Sequence, residues 1–305
     1  MKRGCVIGYD INEKGCQISY YDDSMEEPDT MMASSNNYLI PLVLGYFKDR
    51  WVFGKEAKRL AVVGEDCTET DLYGKAKRRE KVSLSGKTYD AVWLLAKYIS
   101  LTLQDFENIQ YLTFTTPETD VDMAKMLKGI GQHIGVDKEI INVQDYKESF
   151  CQYMIFQPKE LWQYESALFY CDEDRIKAYM LRRLRVDASH GMNSFVTVDE
   201  VANAQRKELE ALYPIMNKEK SPDESFKSMI ENVFEKKVIS SVYLTGEGFE
   251  KNWYPNSLRV LCNGRRAFMG NNLYSKGACY KSIRKCEPND DGPIYLDETK
   301  LTERI

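Results

Sequence analysis

The sequence predicts an α/β protein with an internal duplication, and three observations carry that expectation. An apolar segment at 5–8 and a return strand at 17–21 frame a polar bend over 10–15. A second hairpin of the same outline, 167–171 returning as 176–181 around a short acidic bend, follows roughly 160 residues later. Between the two, a strand at 111–114 that stops at Pro117, a helical repeat of Met123, Leu127, Ile130 and Ile134, and a strand at 140–143 read as a β-α-β unit.

The remaining elements follow from local pattern. Strands are expected at 40–44 and 51–53, with a helix opening at 54–58. Segment 89–106 is apolar nearly all round and reads as a helix packed on both sides. Helical spacing over 145–157 places Tyr146, Phe150, Tyr153 and Met154 on one face. A helix is expected over 199–213. Another starts at Ser221, where Ser221 and Glu224 have capping-box spacing, Pro222 takes the first helical position, and Phe226, Met229, Ile230 and Val233 form the apolar stripe. A strand at 238–244 stops at Gly246-Glu247-Gly248, and 271–283 reads as a helix of small residues containing Gly277, Ala278 and Cys279.

A chain of 305 residues can form one large two-lobed unit or two ordinary domains. Its 43% hydrophobic, 12% aromatic and 29% charged residues are those of a packed globular protein. The net charge is −5, and the cations fall in short groups (Lys75, Lys77, Arg78, Arg79 and Lys81, then Arg182, Arg183 and Arg185) that read as solvated faces, so no nucleic-acid partner is expected. Eight cysteines include no C-x-x-C pair, and with only His133 and His190 to assist them no zinc site is expected. Cys5, Cys171 and Cys279 sit in apolar contexts and are expected in the core. The start reads as lacking a cleavable signal, and no apolar stretch has membrane-spanning length, so a cytoplasmic protein with reduced thiols is expected.

Two places could carry chemistry. Asp10 leads the first bend, where outward N–H groups can donate to phosphate while a carboxylate positions a hydrated Mg²⁺. The same residue also fits an ordinary hairpin Asp that satisfies its own turn. Gly246-Glu247-Gly248 after an apolar strand lets backbone approach a ligand, since neither glycine carries a Cβ; a plain tight turn is the alternative.

Taken together, these segments resemble the actin, sugar-kinase and heat-shock-chaperone nucleotide-binding superfamily. Cys5-Val6-Ile7-Gly8-Tyr9-Asp10 with Gln17-Ile18-Ser19-Tyr20 resembles its first phosphate hairpin, and Ile40-Pro41 through Phe53-Gly54-Lys55-Glu56-Ala57 the chaperone's next segment. Leu112-Thr113-Phe114-Thr115-Thr116-Pro117 is similar to its strand ending in proline, and Ile140-Ile141-Asn142-Val143 to its strand before the interlobe helix. Val242-Tyr243-Leu244-Thr245-Gly246-Glu247-Gly248-Phe249 resembles its adenosine turn, and residues 270–280 its closing helix. The likeness covers most of the chain in the right order and points to a bacterial branch of the superfamily. It implies an actin-like two-lobed ATPase fold of duplicated ribonuclease-H-like subdomains. Lobe I would span 1–143, with an inserted subdomain around 30–88, and lobe II 144–305, with a shortened outer subdomain.

The resemblance implies ATP or ADP with Mg²⁺ as ligand, held by Asp10, Asn12, Glu13, Lys14, Asp172, Gly246, Glu247, Gly248 and Phe249, with Asp10 and Asp172 acting on the metal through water. The departures weigh against hydrolysis. Where the family has Gly and Thr after its Asp, this chain has Asn12 and Glu13, and Glu13 sets negative charge near a phosphate unless a metal or Lys14 compensates. The second hairpin, Cys171-Asp172-Glu173-Asp174-Arg175, has lost the glycine run, and its clustered acids repel a triphosphate. Lys207 and Glu208 are the candidate remnants of an adenine clamp. The expectation is therefore a degenerate ATPase that acts as a regulatory, scaffold or assembly module through a protein partner or self-association. The alternatives are a working Mg²⁺-dependent ATPase, with Asp10 and Asp172 as catalytic candidates, and a sugar or acyl-group kinase. The end soon after Ile294-Tyr295-Leu296 reads as a chain cut from a longer one.

Overall fold

Strands β1 (Cys5–Ile11) and β2 (Gly15–Tyr21) form the expected first hairpin in the computed structural model, which describes residues 4–35, 37–63, 67–173, 175–184, 194–205, 221–287 and 292–297. The chain divides into two units. One comprises residues 1–149 and 274–290, the other 150–273 and 291–305.

In the first unit, β3 (Asp29–Thr30) and β4 (Ile40–Pro41) follow the hairpin. A three-stranded sheet of β5 (Leu44–Phe47), β6 (Arg50–Phe53) and β7 (Thr68–Glu69) then frames α1 (Gly54–Val63). Next come α2 (Leu72–Lys77), the hairpin β8 (Lys81–Leu84) and β9 (Lys87–Asp90), and α3 (Ala91–Thr102). The β-α-β unit is β10 (Ile109–Thr116), α4 (Val121–His133) and β11 (Ile141–Asp145), and α5 (Tyr146–Ile155) begins at once after it. The main sheet runs β11-β10-β1-β2-β3, with β2 antiparallel to β1 and to β3, and with β10 parallel to β1 and β11 parallel to β10.

In the second unit, β12 (Glu165–Cys171), β13 (Arg175–Leu184) and β14 (Phe195–Gln205) are successive antiparallel partners. They are followed by α6 (Pro222–Phe234), β15 (Ile239–Thr245), α7 (Pro255–Leu261), β16 (Arg266–Met269) and β17 (Ile294–Tyr295); between the last two strands the chain forms α8 (Leu273–Cys286), which from Tyr274 on belongs to the first unit. The sheet order is β16-β15-β12-β13-β14-β17, with β15 parallel to β12 and β16 parallel to β15. Each unit thus threads three antiparallel strands and then two strands parallel to the first, in the order 5-4-1-2-3.

Two expectations are corrected. Residues 199–205, read as the start of a helix, belong to β14, which pairs with the whole of β13, so the ladder and the burial of Val196 and Val198 override the helix-forming Glu, Ala and Gln side chains. The rest of that segment, with Lys207 and Glu208, lies outside the described residues, as do Asp174, Arg185 and His190. Segment 89–106 is not one helix packed on both sides. Tyr89 ends a hairpin whose turn holds Ser85 at φ 48° and Gly86 at φ 75°, Asp90 caps α3, and Trp93 is 38% exposed on it. Ser221 caps α6, its Oγ accepting the Glu224 N–H at 3.3 Å, while the Glu224 Oε1 accepts from Asn256 Nδ2 at 3.3 Å in place of the reciprocal bond of a capping box.

Alternation across β1 and β10 divides the first sheet into unlike faces. Ile7, Tyr9, Ile11, Ile18, Leu112 and Phe114 pack into a core with α3 and α4, where Tyr9 Oη meets Thr102 Oγ1 at 2.8 Å. The other face is short and hydroxylic beneath α8: Ser19 Oγ lies 2.8 Å from Ser275 Oγ, and Thr113 Oγ1 2.7 Å from Ser282 Oγ. Gly8 makes this seating possible, because a Cβ there would stand 2.1 Å from the Ser275 carbonyl oxygen and 2.2 Å from the Cys279 nitrogen. Cys171 and Cys279 are fully buried as expected, while Cys5 is only half-buried. Among the described residues no helix is long and apolar enough to cross a membrane. Within the basic groups Lys75 pairs with Glu69 at 2.8 Å, Arg78 with Asp71 at 2.8 Å, and Arg182 with Glu165 and Asp199 at 3.1 Å each.

Gly8→Ala forces backbone of β1 and α8 apart and is expected to destabilise the protein by roughly 3 kcal/mol. Urea unfolding midpoints of the two proteins measure it, and an unchanged midpoint would show that the helix is not seated as described.

Candidate functional site

The C-terminal ends of three parallel strands place Asp10 of β1, Thr115 of β10 and Gln144 of β11 in one row, since Asp10 pairs with Thr115 and Thr115 with Gln144. All three are buried, Asp10 to 4% exposure and Gln144 to 2%. Ser149 of α5 ties two of them together, its Oγ lying 2.7 Å from Thr115 Oγ1 and accepting from Gln144 Nε2 at 2.7 Å. The Gln144 Oε1 is buried with no hydrogen-bond partner.

Tyr146 closes over the carboxyl. Its hydroxyl donates to Asp10 Oδ1 at 2.8 Å and accepts from Asn12 Nδ2 at 3.0 Å. Its ring stacks on Tyr274 of α8, with centroids 3.7 Å apart and planes 6° from parallel. Tyr73, brought by α2, bonds Thr116 Oγ1 at 2.5 Å on the neighbouring end of β10. Burial pushes the Asp10 carboxyl up to about 7, and the hydrogen bond from Tyr146 only partly opposes it. Burial also lifts Tyr73 to about 12, with the Asp10 and Glu13 charges adding to the rise.

Asn12 serves the turn. Its N–H donates to the Gly15 carbonyl at 3.0 Å, and its Oδ1 accepts the Lys14 and Gly15 N–H groups at 2.9 and 3.3 Å. Glu13 and Lys14 are exposed at the tip. In the second hairpin the Asp172 N–H donates to the Arg175 carbonyl at 3.1 Å, and its Oδ1 accepts the Arg175 N–H at 2.7 Å. Asp172 is therefore the ladder counterpart of Asn12. The counterpart of Asp10 is Tyr170, which pairs with Thr245 as Asp10 pairs with Thr115.

Gly246 and Gly248 fit closely against the second hairpin itself. A Cβ at Gly246, whose φ is +92°, would stand 2.2 Å from the Cys171 carbonyl oxygen, and one at Gly248 would stand 2.2 Å from Cys171 Sγ. The short 3-10 turn Glu247–Phe249 buries Phe249 with Phe226 and Tyr254. Trp253 stacks on Phe249 and donates its Nε1–H to the Gly248 carbonyl at 2.7 Å, so its ring belongs to that packing. The close approach that glycine permits here is to Cys171.

The site therefore gathers Asp10 and Asn12 with Tyr73, Thr115, Gln144, Tyr146, Ser149 and Tyr274, most of which the sequence had not marked as a site. The signal present in the sequence was polar alternation: Thr113 and Thr115 interrupt an apolar strand, and Gln144 ends another. Among the described residues no group of three or more His, Cys, Asp and Glu side chains could hold a metal ion.

Fold and site define a mixed-sheet α/β protein whose two units repeat a strand order, with a buried carboxyl under a tyrosine pair. The chain belongs to the family described as "Family of unknown function (DUF5716) C-terminal", which it matches over residues 27–298. No curated protein matches it.

The folded value of Asp10 near 7 lies above its ordinary 3.8, so the folded state binds the proton more tightly than the unfolded chain. The stability this confers is full below about pH 4 and is lost as pH rises to about 7. Asp10→Asn is expected to flatten that fall by up to about 4 kcal/mol, measured by urea unfolding across the pH range. Gly246→Ala is expected to lower stability by roughly 2 kcal/mol or more through its left-handed φ and the Cys171 contact. A wild-type unfolding midpoint would leave ligand approach as the glycine's role.

Proposed function

We propose that this is an actin and heat-shock-chaperone-like protein whose nucleotide site has degenerated, and that it acts as a regulatory, scaffold or assembly module. The repeated 5-4-1-2-3 strand order of the two units supports the duplicated ribonuclease-H-like architecture that the resemblance implies.

The observation that carries the reading is the Asp10 carboxyl, covered and hydrogen-bonded by Tyr146 and half protonated near neutrality. A protonated acid does not attract a cation, and an oxygen that already accepts from a phenol is poorly disposed to hold a hydrated one. The hairpin tips agree. Asn12 spends its Oδ1 on its own turn, Glu13 adds negative charge, and Tyr170 stands where a second Asp10 would be. The residues thus do not fit Mg²⁺-nucleotide in the superfamily's manner, and Gly246 and Gly248 are occupied by Cys171.

A Mg²⁺-dependent ATPase is the second reading. It is favoured by the unpartnered Gln144 Oε1 at the strand ends, where an acceptor could orient water.

Calorimetry with ATP and with ADP, each with and without Mg²⁺, alongside phosphate release, separates the two. The expected result is no turnover above background and at most weak binding. Phosphate release that disappears in Asp10→Ala would overturn the degenerate-site reading, and its further loss in Asp172→Ala would assign the second hairpin a part.

A further inference from the structure

A groove of about 410 Å³ lies between α3 and α4 in the first unit, away from every residue of the Asp10 site. Its floor is apolar, formed by Val92, Trp93, Ala96, Met126 and Ile130. Arg79, Lys125 and His133 stand around it exposed, and among the described residues none of these has an ion-pair partner. These groups bring positive charge to the rim of an apolar floor on a chain of net charge −5. The acid in the groove, Asp90, uses Oδ1 to accept the Val92 and Trp93 N–H groups at the start of α3.

Gly129 is the second observation. It sits inside α4, where glycine weakens a helix relative to alanine, yet a Cβ built on it meets nothing within 4 Å. Internal packing gives no reason for it. It is one of the residues that line the groove, where a long side chain would take up open space.

We propose that this groove docks an amphipathic, acidic helix of a protein partner. Trp93 and Met126 would receive one or two bulky apolar residues, and the helix's carboxylates would meet Arg79, Lys125 and the His133 ring N–H. A small apolar anion is the weaker occupant: Trp93, Gly129 and the cations are all exposed, so such a ligand would keep much of its surface wet. The two helices offer a trough open to solvent, and a third helix can lie along it. The proposal is independent of how the nucleotide tests fall.

The probe is a fluorescein-labelled peptide of about 16 residues, long enough to hold helix, with leucine and tryptophan on one face and glutamate beside them. Controls are the same peptide with lysine for glutamate, and laurate as a small apolar anion. Fluorescence anisotropy with the full chain is expected to show roughly tenfold tighter binding of the acidic peptide, weakening as salt is raised. Gly129→Leu and Lys125→Glu should each weaken it by about tenfold, with unchanged circular dichroism. Gly129→Ala should melt higher than the parent. If Gly129→Leu fails to fold, Lys125→Glu decides. Equal binding of the two peptides, no binding, insensitivity to Lys125→Glu, or displacement by laurate at comparable concentration would each overturn the proposal.

Discussion

The seating of α8 on β1 at Gly8 governs the first unit. Two backbones that approach this closely leave room only for short side chains, so the covered face of the sheet is built from Ser19, Thr113 and Thr115. Each of these is a polar atom taken out of water and must find a partner, and serines on α8 and α5 supply them. The large apolar side chains go to the opposite face by simple alternation. Asp10 lies on the same face as these residues, beneath Tyr146 of α5, whose ring in turn stacks on Tyr274 of α8. Gly277 extends the constraint to α5, since a Cβ there would stand 2.0 Å from the Ser149 carbonyl oxygen. Lys281 and Glu148 fasten the same two helices by an ion pair of 2.8 Å.

The two units share a strand order more closely than they share chemistry. Thr115 and Thr245 hold equivalent ladder positions, and both hairpins close through an N–H at the first turn residue, Asn12 or Asp172. Where the first sheet has its acid, the second has Tyr170. Around it, the turn after β15 has closed onto Cys171, with Phe249 driven into the core. The second unit's strand ends are thereby filled with packing, whereas those of the first hold a polar cluster.

Much of the fold could be read from the chain because its strongest signals are local. Both hairpins, the β-α-β unit and the cap at Ser221 rest on patterns a few residues long. What escaped reading is set by distant partners. The β14 segment carries helix formers and becomes a strand because β13 offers it a full ladder. The Ser85-Gly86 turn took Tyr89 out of the helix that its apolar neighbours suggested. Asp10 and Asp172 are not register equivalents: acids occur near both tips, and only the closing hydrogen bonds tell a strand-end residue from a turn residue two places on. Tyr146 and Tyr274 are 128 positions apart, and no local pattern announces that their rings meet.

Because residues 274–290 complete a unit begun by residues 1–149, synthesis of that unit is interrupted by the whole intervening stretch. At ordinary translation speed its first sheet waits on the order of ten seconds for the helix that will roof it. The surface left bare in that interval is hydroxyl-lined, so a nascent chain shows water-compatible groups to its neighbours at the stage when an oily face would invite them to stick.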